Sequence, residues 1–228
     1  MDTQYIRSLI EEINKHDIIM FDFDNTLVDS LKYWYKVQDK LAYKHYNIKP
    51  NKAFFEKRKD KINNQQAAKA FIEITNIEAT ANQVLKFWHE KMLEFYTTKI
   101  KPIIGIKEFL FKIKNNGKKL VIASATDINL LKKALKHFNL NVFDEIFTEE
   151  TIGYCKSYPE FFEVCLDKLN ATYDNVFFFE DSFGSISSAA RLNIQCCAVI
   201  HKFNKQHKKE FENICKFTIK NYKKLWKF

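Results

Sequence analysis

The sequence predicts an α/β fold: a mainly parallel sheet with helices on both faces, plus an inserted block of helices. Short, continuous apolar runs are typical of strands covered on both faces. Such runs occupy residues 18–21, 120–123, 176–179 and 196–200. Helical patterns separate the later runs, and this alternation favours parallel strands. The stretch from 30 to 101 contains helical patterns and no strand-like run, so it is predicted to be a separate helical unit.

The first apolar run ends in two acidic residues. Residues 4–15 are predicted to form an amphipathic helix leading into this strand, because apolar residues recur there at helical spacing. Asp22 and Asp24 follow the strand, and side chains two residues apart lie on one face of an extended chain. Their Cα atoms are then about 6.5 Å apart, and the carboxylates repel each other. A divalent cation would remove that repulsion, and strand ends are where α/β proteins place ligands.

Sequence patterns predict several helices and their N-terminal caps in the rest of the chain. Apolar residues at helical spacing between 81 and 96 predict the clearest of the inserted helices, and Thr80 with Gln83 resembles a capping box. Asp127 is a predicted cap for a later helix. Ser157 with Glu160 is a second capping-box pattern.

Composition and length limit the class of protein. The 228 residues are 46% hydrophobic, with only 4 Gly and 3 Pro, which favours one ordered domain or a domain with an insert. The five cysteines show no Cys-x-x-Cys pair and fit reduced thiols. No apolar stretch reaches the length of a membrane span. The N-terminal segment does not resemble a signal peptide, because charged residues interrupt its apolar residues. We therefore expect a cytoplasmic protein with no membrane partner.

The net charge of +9 raises the question of a nucleic-acid partner. Lysine is spread along the whole chain, with its densest clusters at 57–59 and 202–227. No recognised nucleic-acid motif accompanies these clusters, so we do not expect a nucleic-acid surface. A basic protein also suits a substrate that carries phosphate.

Polar residues follow or flank the predicted core strands. They are Asp22 and Asp24, then Ser124, then Lys156 before a helix, then Glu180 and Asp181. The carboxyl ends of parallel strands meet at one edge of a sheet, so these groups are predicted to share a pocket. Carboxylates suit Mg²⁺, while a hydroxyl, backbone amides and an ammonium suit phosphate. Singly, each residue has an ordinary explanation as a cap, a turn or a solvated charge; their joint order favours a site.

In this order the residues resemble the motifs of the haloacid dehalogenase superfamily. The matching segments are Asp22-Phe-Asp24-Asn25-Thr26, Ser124, Lys156 with Pro159, and Glu180-Asp181-Ser182. The phosphoglycolate phosphatase-like and β-phosphoglucomutase-like members look closest. The resemblance implies a Rossmann-like catalytic core at 1–28 and 102–228, with a helical cap domain at 29–101. Asn193 stands where members often have glycine, and asparagine tolerates the left-handed conformation best after glycine.

The resemblance also implies roles for the acidic residues. Asp22 would be the nucleophile that forms an aspartyl-phosphate, and Asp24 would be the general acid and base. Mg²⁺ would be held by Asp22, by the backbone carbonyl of Asp24 and by Asp181, with Glu180 close by.

The remaining motif residues would bind the phosphate. Ser124 and Lys156 would clamp the transferring phosphoryl group. Thr26 would brace the turn after the first strand, and Asn25 would offer backbone amides more than a particular side chain.

The sequence therefore predicts a Mg²⁺-dependent phosphatase acting on a small phosphorylated metabolite. The alternatives are a phosphomutase of the β-phosphoglucomutase type, a non-catalytic phosphate-binding relative, and, on charge alone, an enzyme that processes nucleic-acid ends. The cap aromatic residues Tyr33, Trp34, Tyr35 and Trp88 are predicted to pack between helices, and His89 is assigned no role. The substrate and the oligomeric state are not predicted.

Overall fold

A computed structural model describes residues 3–57 and 63–227 of the chain. Arg58 and Lys59 of the predicted basic cluster lie outside these residues. The strands are β1 (Ile18–Phe21), β2 (Lys119–Ser124), β3 (Glu145–Thr148), β4 (Val176–Glu180), β5 (Gln195–Val199) and β6 (Phe217–Ile219). The helices are α1 (Thr3–Asn14), α2 (Leu31–Lys36), α3 (Ala42–His45), α4 (Lys52–Lys57), α5 (Asn64–Thr75), α6 (Ala81–Thr98), α7 (Ile106–Asn115), α8 (Ile128–Phe138), α9 (Glu149–Ile152), α10 (Pro159–Leu169), α11 (Phe183–Arg191) and α12 (Lys208–Ile214).

The six strands form one parallel sheet in the order β3-β2-β1-β4-β5-β6. Strand β1 is central, and its last residue, Phe21, pairs with Ile122 of β2 and with Phe179 of β4. The crevice at the carboxyl end of β1 therefore lies between neighbours that come from distant parts of the chain. The predicted α/β sheet is confirmed, and β6 is a strand that the sequence did not predict.

Helices cover both faces of the sheet, as predicted. Ile19 and Phe21 of β1 belong to one apolar core, shared with α1, α7 and α8. Ile18 and Met20, which alternate with them, belong to a second core shared with α10, α11 and α12. Side chains of successive strand residues point to opposite faces, so a continuous apolar run serves both cores. Among the described residues, no helix is both long and apolar enough to cross a membrane.

The segment between β1 and β2 contains helices α2 to α6 and a π-helical turn at Val37–Leu41, with no strand among its described residues. Its aromatic side chains pack on one another: Phe71 lies edge-on to Phe54 and to Trp88, with ring centroids 5.0 and 5.9 Å away. Trp88 is 0% exposed and Trp34 is also buried, as predicted. The predicted Thr80–Gln83 capping box is present at the start of α6. Assignment of 29–101 as a separate cap domain stays a prediction.

Asparagine takes the backbone conformation that glycine often supplies. Within the described ranges, the residues other than glycine with positive φ are Asn25, Asn47, Asn76, Asn139, Asn170 and Asn193, with φ between 50° and 60°. Asparagine is the side chain that enters the left-handed region most readily after glycine. The expectation for Asn193 is confirmed, and other members of this set end α5, α8 and α10.

The predicted cap at Ser157 is wrong. Helix α10 begins one residue later, with Tyr158 at the N-cap position and Pro159 in the first turn. Proline has a φ suited to the first helical position and no N–H group to satisfy, so the helix starts there without a side-chain cap. The predicted cap at Asp127 is present, because its carboxylate accepts a hydrogen bond from the N–H group of Leu130 at 2.8 Å.

Candidate active site

Asp22 directly follows the central strand, and its N–H group still donates to the carbonyl of Phe179 at 2.9 Å. Its side chain meets Lys156, whose Nζ lies 2.5 Å from Asp22 Oδ1. The same ammonium donates to Glu180 Oε2 at 2.8 Å and to the carbonyl of Ala123 at 3.0 Å. All three charged side chains are buried. One ammonium thus bridges the acids that end β1 and β4.

Burial dominates the electrostatics of this cluster. It raises the pKa of Asp22 to about 8, helped by the negative charge of Glu180 and opposed by Lys156. It also raises the pKa of Glu180, to about 7. Burial works against the charged form of Lys156, but the two carboxylates outweigh it and raise the lysine pKa. The lysine therefore stays charged, and the two acids hold their protons up to a higher pH than exposed carboxyl groups do.

The residues present fit a divalent cation. One ligand atom from each of Asp22, Glu180 and Asp181 lies within 4.8 Å of the others. Three ionised carboxylates with one ammonium leave two negative charges uncompensated, and a divalent cation with oxygen ligands matches that charge. Of the three carboxylates, Glu180 is the most fully occupied by hydrogen bonds, because its Oε1 accepts from the N–H groups of residues 181 and 182 at 2.9 Å. Asp22 and Asp181 would therefore be the better ligands for a divalent cation.

Asp24 has a different environment, and its side chain is not part of this carboxylate cluster. Its Oδ1 accepts hydrogen bonds from the hydroxyl groups of Ser30 and Tyr96, the latter at 2.5 Å. Its Oδ2 accepts from the hydroxyl group of Thr126 at 2.5 Å. These donors come from the loop after β1, from α6 and from the loop after β2. The Asp24 carboxylate is therefore oriented by the inserted helices as well as by the sheet.

The predicted phosphate-binding residues lie around the same strand ends. Ser124 is the last residue of β2, and its Oγ accepts from the N–H group of Thr126 at 3.1 Å. Asn25 has a φ of 59°, and its Oδ1 accepts from the N–H group of Leu31 at 3.1 Å, at the start of α2. Thr26 is fully buried, and its hydroxyl group has no hydrogen-bond partner within the described part of the chain. Binding of phosphate by these residues stays a prediction.

Sequence reasoning assigned no role to several side chains that contact the predicted site, among them Thr126, His201 and Tyr96. Thr126 lies two residues after Ser124, so the same strand end pointed to it. His201 follows the apolar run of β5, and its Nε2 lies 2.8 Å from Asp181 Oδ2. The rule that singled out the residues after the other strands would have found it. Tyr96 gave no signal, because it belongs to the buried face of a helix.

A cleft of about 410 Å³ opens beside these residues, between the inserted helices and the loops after β2 and β3. The inserted helices and the residues before them contribute amides and an imidazole, and the sheet side contributes Thr126 and carboxylates. Its polar lining includes Asn63, Asn64, Asn82, His89, Asp127 and Glu149. Across it, Asn64 Nδ2 donates to the carbonyl of Ala125 at 3.2 Å. Since Thr126 also holds Asp24, the cleft ends next to that carboxylate.

The described motifs coincide with a known protein family. Residues 19–199 match the family model described as haloacid dehalogenase-like hydrolase. The chain belongs to this family. The match spans the sheet from β1 to β5, and with it every predicted site residue. The resemblance that the motifs indicated is confirmed, and this haloacid dehalogenase-like chain is a hydrolase by family.

Curated relatives cover most of the chain. It is 23% identical over 190 residues to a phosphorylated carbohydrates phosphatase of Thermotoga maritima, covering 82% of this chain and 87% of that protein. It is 23% identical over 182 residues to the pyrophosphatase PpaX of Oceanobacillus iheyensis, covering 79% of this chain and 82% of that protein.

Solved structures share the fold. CbbY from Rhodobacter sphaeroides in complex with phosphate superimposes with a TM-score of 0.79 at 14% identity, covering 92% of this chain and 96% of that one. A putative β-phosphoglucomutase from Thermotoga maritima gives a TM-score of 0.71 at 22% identity, covering 92% of this chain and 97% of that one. The Rossmann-like α/β fold of the haloacid dehalogenase-like chain is thus confirmed.

Proposed function

We propose that this chain is a Mg²⁺-dependent phosphatase that hydrolyses a small phosphorylated metabolite through an aspartyl-phosphate on Asp22. The observation that carries the proposal is the contact of Lys156 with Asp22 inside a buried cluster of acids at the end of β1. A nucleophilic carboxylate needs a positive group beside it, because the incoming phosphate is itself an anion. Lys156 meets that need and can also bind phosphate oxygens.

In the first step an oxygen of Asp22 forms a bond to phosphorus while the bond from phosphorus to the leaving oxygen breaks. Asp24 gives its proton to that oxygen, which leaves as an alcohol. In the second step Asp24 takes a proton from a water molecule, whose oxygen attacks the same phosphorus. The bond between Asp22 and phosphorus then breaks, releasing inorganic phosphate and restoring both carboxyl groups.

The other residues position and stabilise the phosphoryl group. Ser124 and Lys156 would hold its oxygens while charge develops on them. Asp22 and Asp181 would hold Mg²⁺, together with the Asp24 carbonyl that the family resemblance implies. A bound Mg²⁺ would neutralise the carboxylates and the phosphate so that the two anions can approach.

The cleft beside Asp24 supports a leaving group rich in hydroxyl groups. Its described lining offers amide and carboxylate side chains, which accept hydrogen bonds from hydroxyl groups. The curated relative named as a phosphorylated carbohydrates phosphatase points to the same chemistry. Sugar phosphates are therefore the first substrates to test.

The test is a panel of metabolite phosphates assayed for released phosphate with Mg²⁺, with EDTA, and with the Asp22→Asn variant. We expect turnover in Mg²⁺ and a loss of at least about 10³-fold in Asp22→Asn, since the nucleophile is gone. Asp167→Asn, at an exposed position on α10, is the matched control and should keep its activity. Activity that survives Asp22→Asn would rule out the covalent mechanism.

The same assay distinguishes the alternatives. An isomeric sugar phosphate formed without free phosphate would identify a phosphomutase. Binding of phosphate esters without any turnover across the panel would identify a non-catalytic relative. Turnover of oligonucleotide ends with a steep salt dependence would identify a nucleic-acid enzyme.

A further inference from the structure

His201 joins the proposed metal ligand Asp181 to the loop after β5. Its Nε2 lies 2.8 Å from Asp181 Oδ2, and its Nδ1 accepts a hydrogen bond from the N–H group of Phe203 at 3.1 Å. A ring nitrogen that accepts carries no proton, so the proton of the neutral imidazole is on Nε2. The imidazole therefore donates to Asp181.

The loop also fixes the backbone of Asp181. Asn204 Nδ2 donates to the carbonyl of Asp181 at 2.8 Å and to the carbonyl of Val199 at 2.9 Å. Its Oδ1 accepts from the N–H group of His201 at 2.8 Å. Main chain and side chain of Asp181 are thus both tied to residues 199–204, at the end of the neighbouring strand.

We propose that His201 is a positioning residue for the divalent cation, holding the Asp181 carboxylate in place by a neutral hydrogen bond. The proposal rests on the metal site of the proposed function. It assigns a separate role to His201, which lies outside the family motifs.

The neutrality of the donor matters. Lys156 already provides an ammonium that contacts both Asp22 and Glu180. A second cation on Asp181 would cancel the charge that the metal needs, whereas a neutral N–H group fixes the carboxylate and leaves its charge.

The aromatic contacts of the loop limit its movement. The ring of Phe203 lies edge-on to Tyr35 of α2, with centroids 5.4 Å apart, and 6.0 Å from the ring of His201. The loop is consequently packed against the inserted helices and does not depend on the His201 contact alone. Small changes at 201 should leave the loop in place, which makes the residue testable.

Two substitutions separate the donor from a purely structural role. In His201→Gln the side-chain amide occupies the place of Nε2 and can donate to Asp181, but nothing takes the place of Nδ1. In His201→Asn the side-chain oxygen takes the place of Nδ1 and can accept from Phe203, but the amide is too short to reach Asp181. His207→Asn changes the same residue type at an exposed position and is the matched control.

The measurement is Mg²⁺ binding to the full chain by calorimetric titration without substrate, with thermal unfolding in EDTA to verify folding. We expect about a 10-fold weaker Mg²⁺ affinity in His201→Asn and near wild-type affinity in His201→Gln and His207→Asn. In assays, His201→Asn should need more Mg²⁺ for half-maximal rate while its rate at saturating Mg²⁺ is largely kept.

Wild-type affinity in His201→Asn would overturn the inference, and so would an equal loss in both variants at position 201, which would make the role structural. If the wild-type chain itself bound no Mg²⁺, the proposed metal site would fall and this inference with it. If the wild type binds Mg²⁺ but His201→Asn is unchanged, only this inference falls.

Discussion

The hydroxyl group of Tyr96 on α6 donates a hydrogen bond to Asp24 Oδ1 at 2.5 Å, joining residues 72 positions apart. Burial and the nearby Asp24 charge raise the pKa of this tyrosine far above its usual value, so the group stays protonated and can donate. With Ser30 and Thr126 it completes a set of hydroxyl groups around one carboxylate. The inserted helices therefore reach the proposed acid and base group directly.

Tyr96→Phe tests this contact. Without this hydrogen bond the Asp24 carboxyl group is held less firmly toward the leaving oxygen, so we expect turnover of alkyl phosphates to fall by about 10-fold. Aryl phosphates, whose leaving groups need less proton transfer, should be affected less. The ratio of the two rates is the measurement. Tyr33→Phe removes a hydroxyl group that makes an exposed 3.4 Å contact and should change neither rate; equal losses on both substrate types would contradict a role through Asp24.

Lys156→Met tests the buried ion cluster. Removing the lysine leaves Asp22 and Glu180 buried without their shared cation, which should lower the free energy of unfolding by about 3–5 kcal/mol. The measurement is urea unfolding at about pH 9.5 in EDTA, above the pKa of both acids in the wild type, where proton binding neutralises the buried carboxylates least. Lys114→Met is the control, because its pair with Asp144 is 35% exposed on both sides. That change should lower the free energy of unfolding by less than about 1 kcal/mol. A similar loss in both variants would contradict a larger contribution of the buried cluster to stability.

Mg²⁺ should stabilise the protein more at high pH than at low pH. Burial raises the pKa of Asp22 from 3.8 to about 8, so the metal-free folded state keeps a proton that the unfolded state has lost between these values. Stability of the metal-free protein therefore falls as pH rises through this window, whereas Mg²⁺ binds the ionised carboxylates.

The difference in Tm between excess Mg²⁺ and EDTA should thus grow from about pH 5 to about pH 8. Subtracting the Tm measured in EDTA from the Tm measured in Mg²⁺ at each pH cancels the contribution of titrating groups that do not contact the site. Asp22→Asn removes one of the titrations in this window and should make the pH dependence of the difference smaller, although Glu180 still titrates there. A wild-type difference that does not change with pH would contradict the assignment.

Asn25 combines a left-handed backbone with a side-chain hydrogen bond to the start of α2. Asn25→Gly keeps the conformation but loses the bond, while Asn25→Ala loses the bond and strains the backbone by about 1–2 kcal/mol. We expect the alanine variant to be the less stable by roughly 1 kcal/mol in urea unfolding. The same pair at Asn193, which shares the conformation, should show a similar gap; no gap at either position would contradict the role of the backbone.

Local patterns explain which features the sequence predicted. The acids after β1 and β4 and the cap of α6 depend on neighbouring residues, so spacing alone was informative. Lys156 and Asp22 are 134 positions apart, yet motif order placed them together because parallel strand ends share one edge. Strand β6, at three residues, is too short to give a periodic signal.

Tertiary contacts account for what was missed. Tyr96 is buried and fits an apolar helix face, so only the packing of α6 against the strand-end loop gives its hydroxyl group a partner. The partner of His201 likewise depends on β5 lying beside β4. The cap predicted at Ser157 was wrong because the preference of proline for the first helical position outweighs the capping-box pattern.

The central position of β1 has a consequence during synthesis. This strand is the first of the described strands in sequence, but its neighbours β2 and β4 begin only at Lys119 and Val176. Until they leave the ribosome, both edges of an apolar strand are open, and such edges favour pairing with other chains. We therefore expect the nascent chain to be prone to aggregation until both neighbouring strands have been made. Asp22, which follows β1, can meet Lys156 only after that residue has been added to the chain.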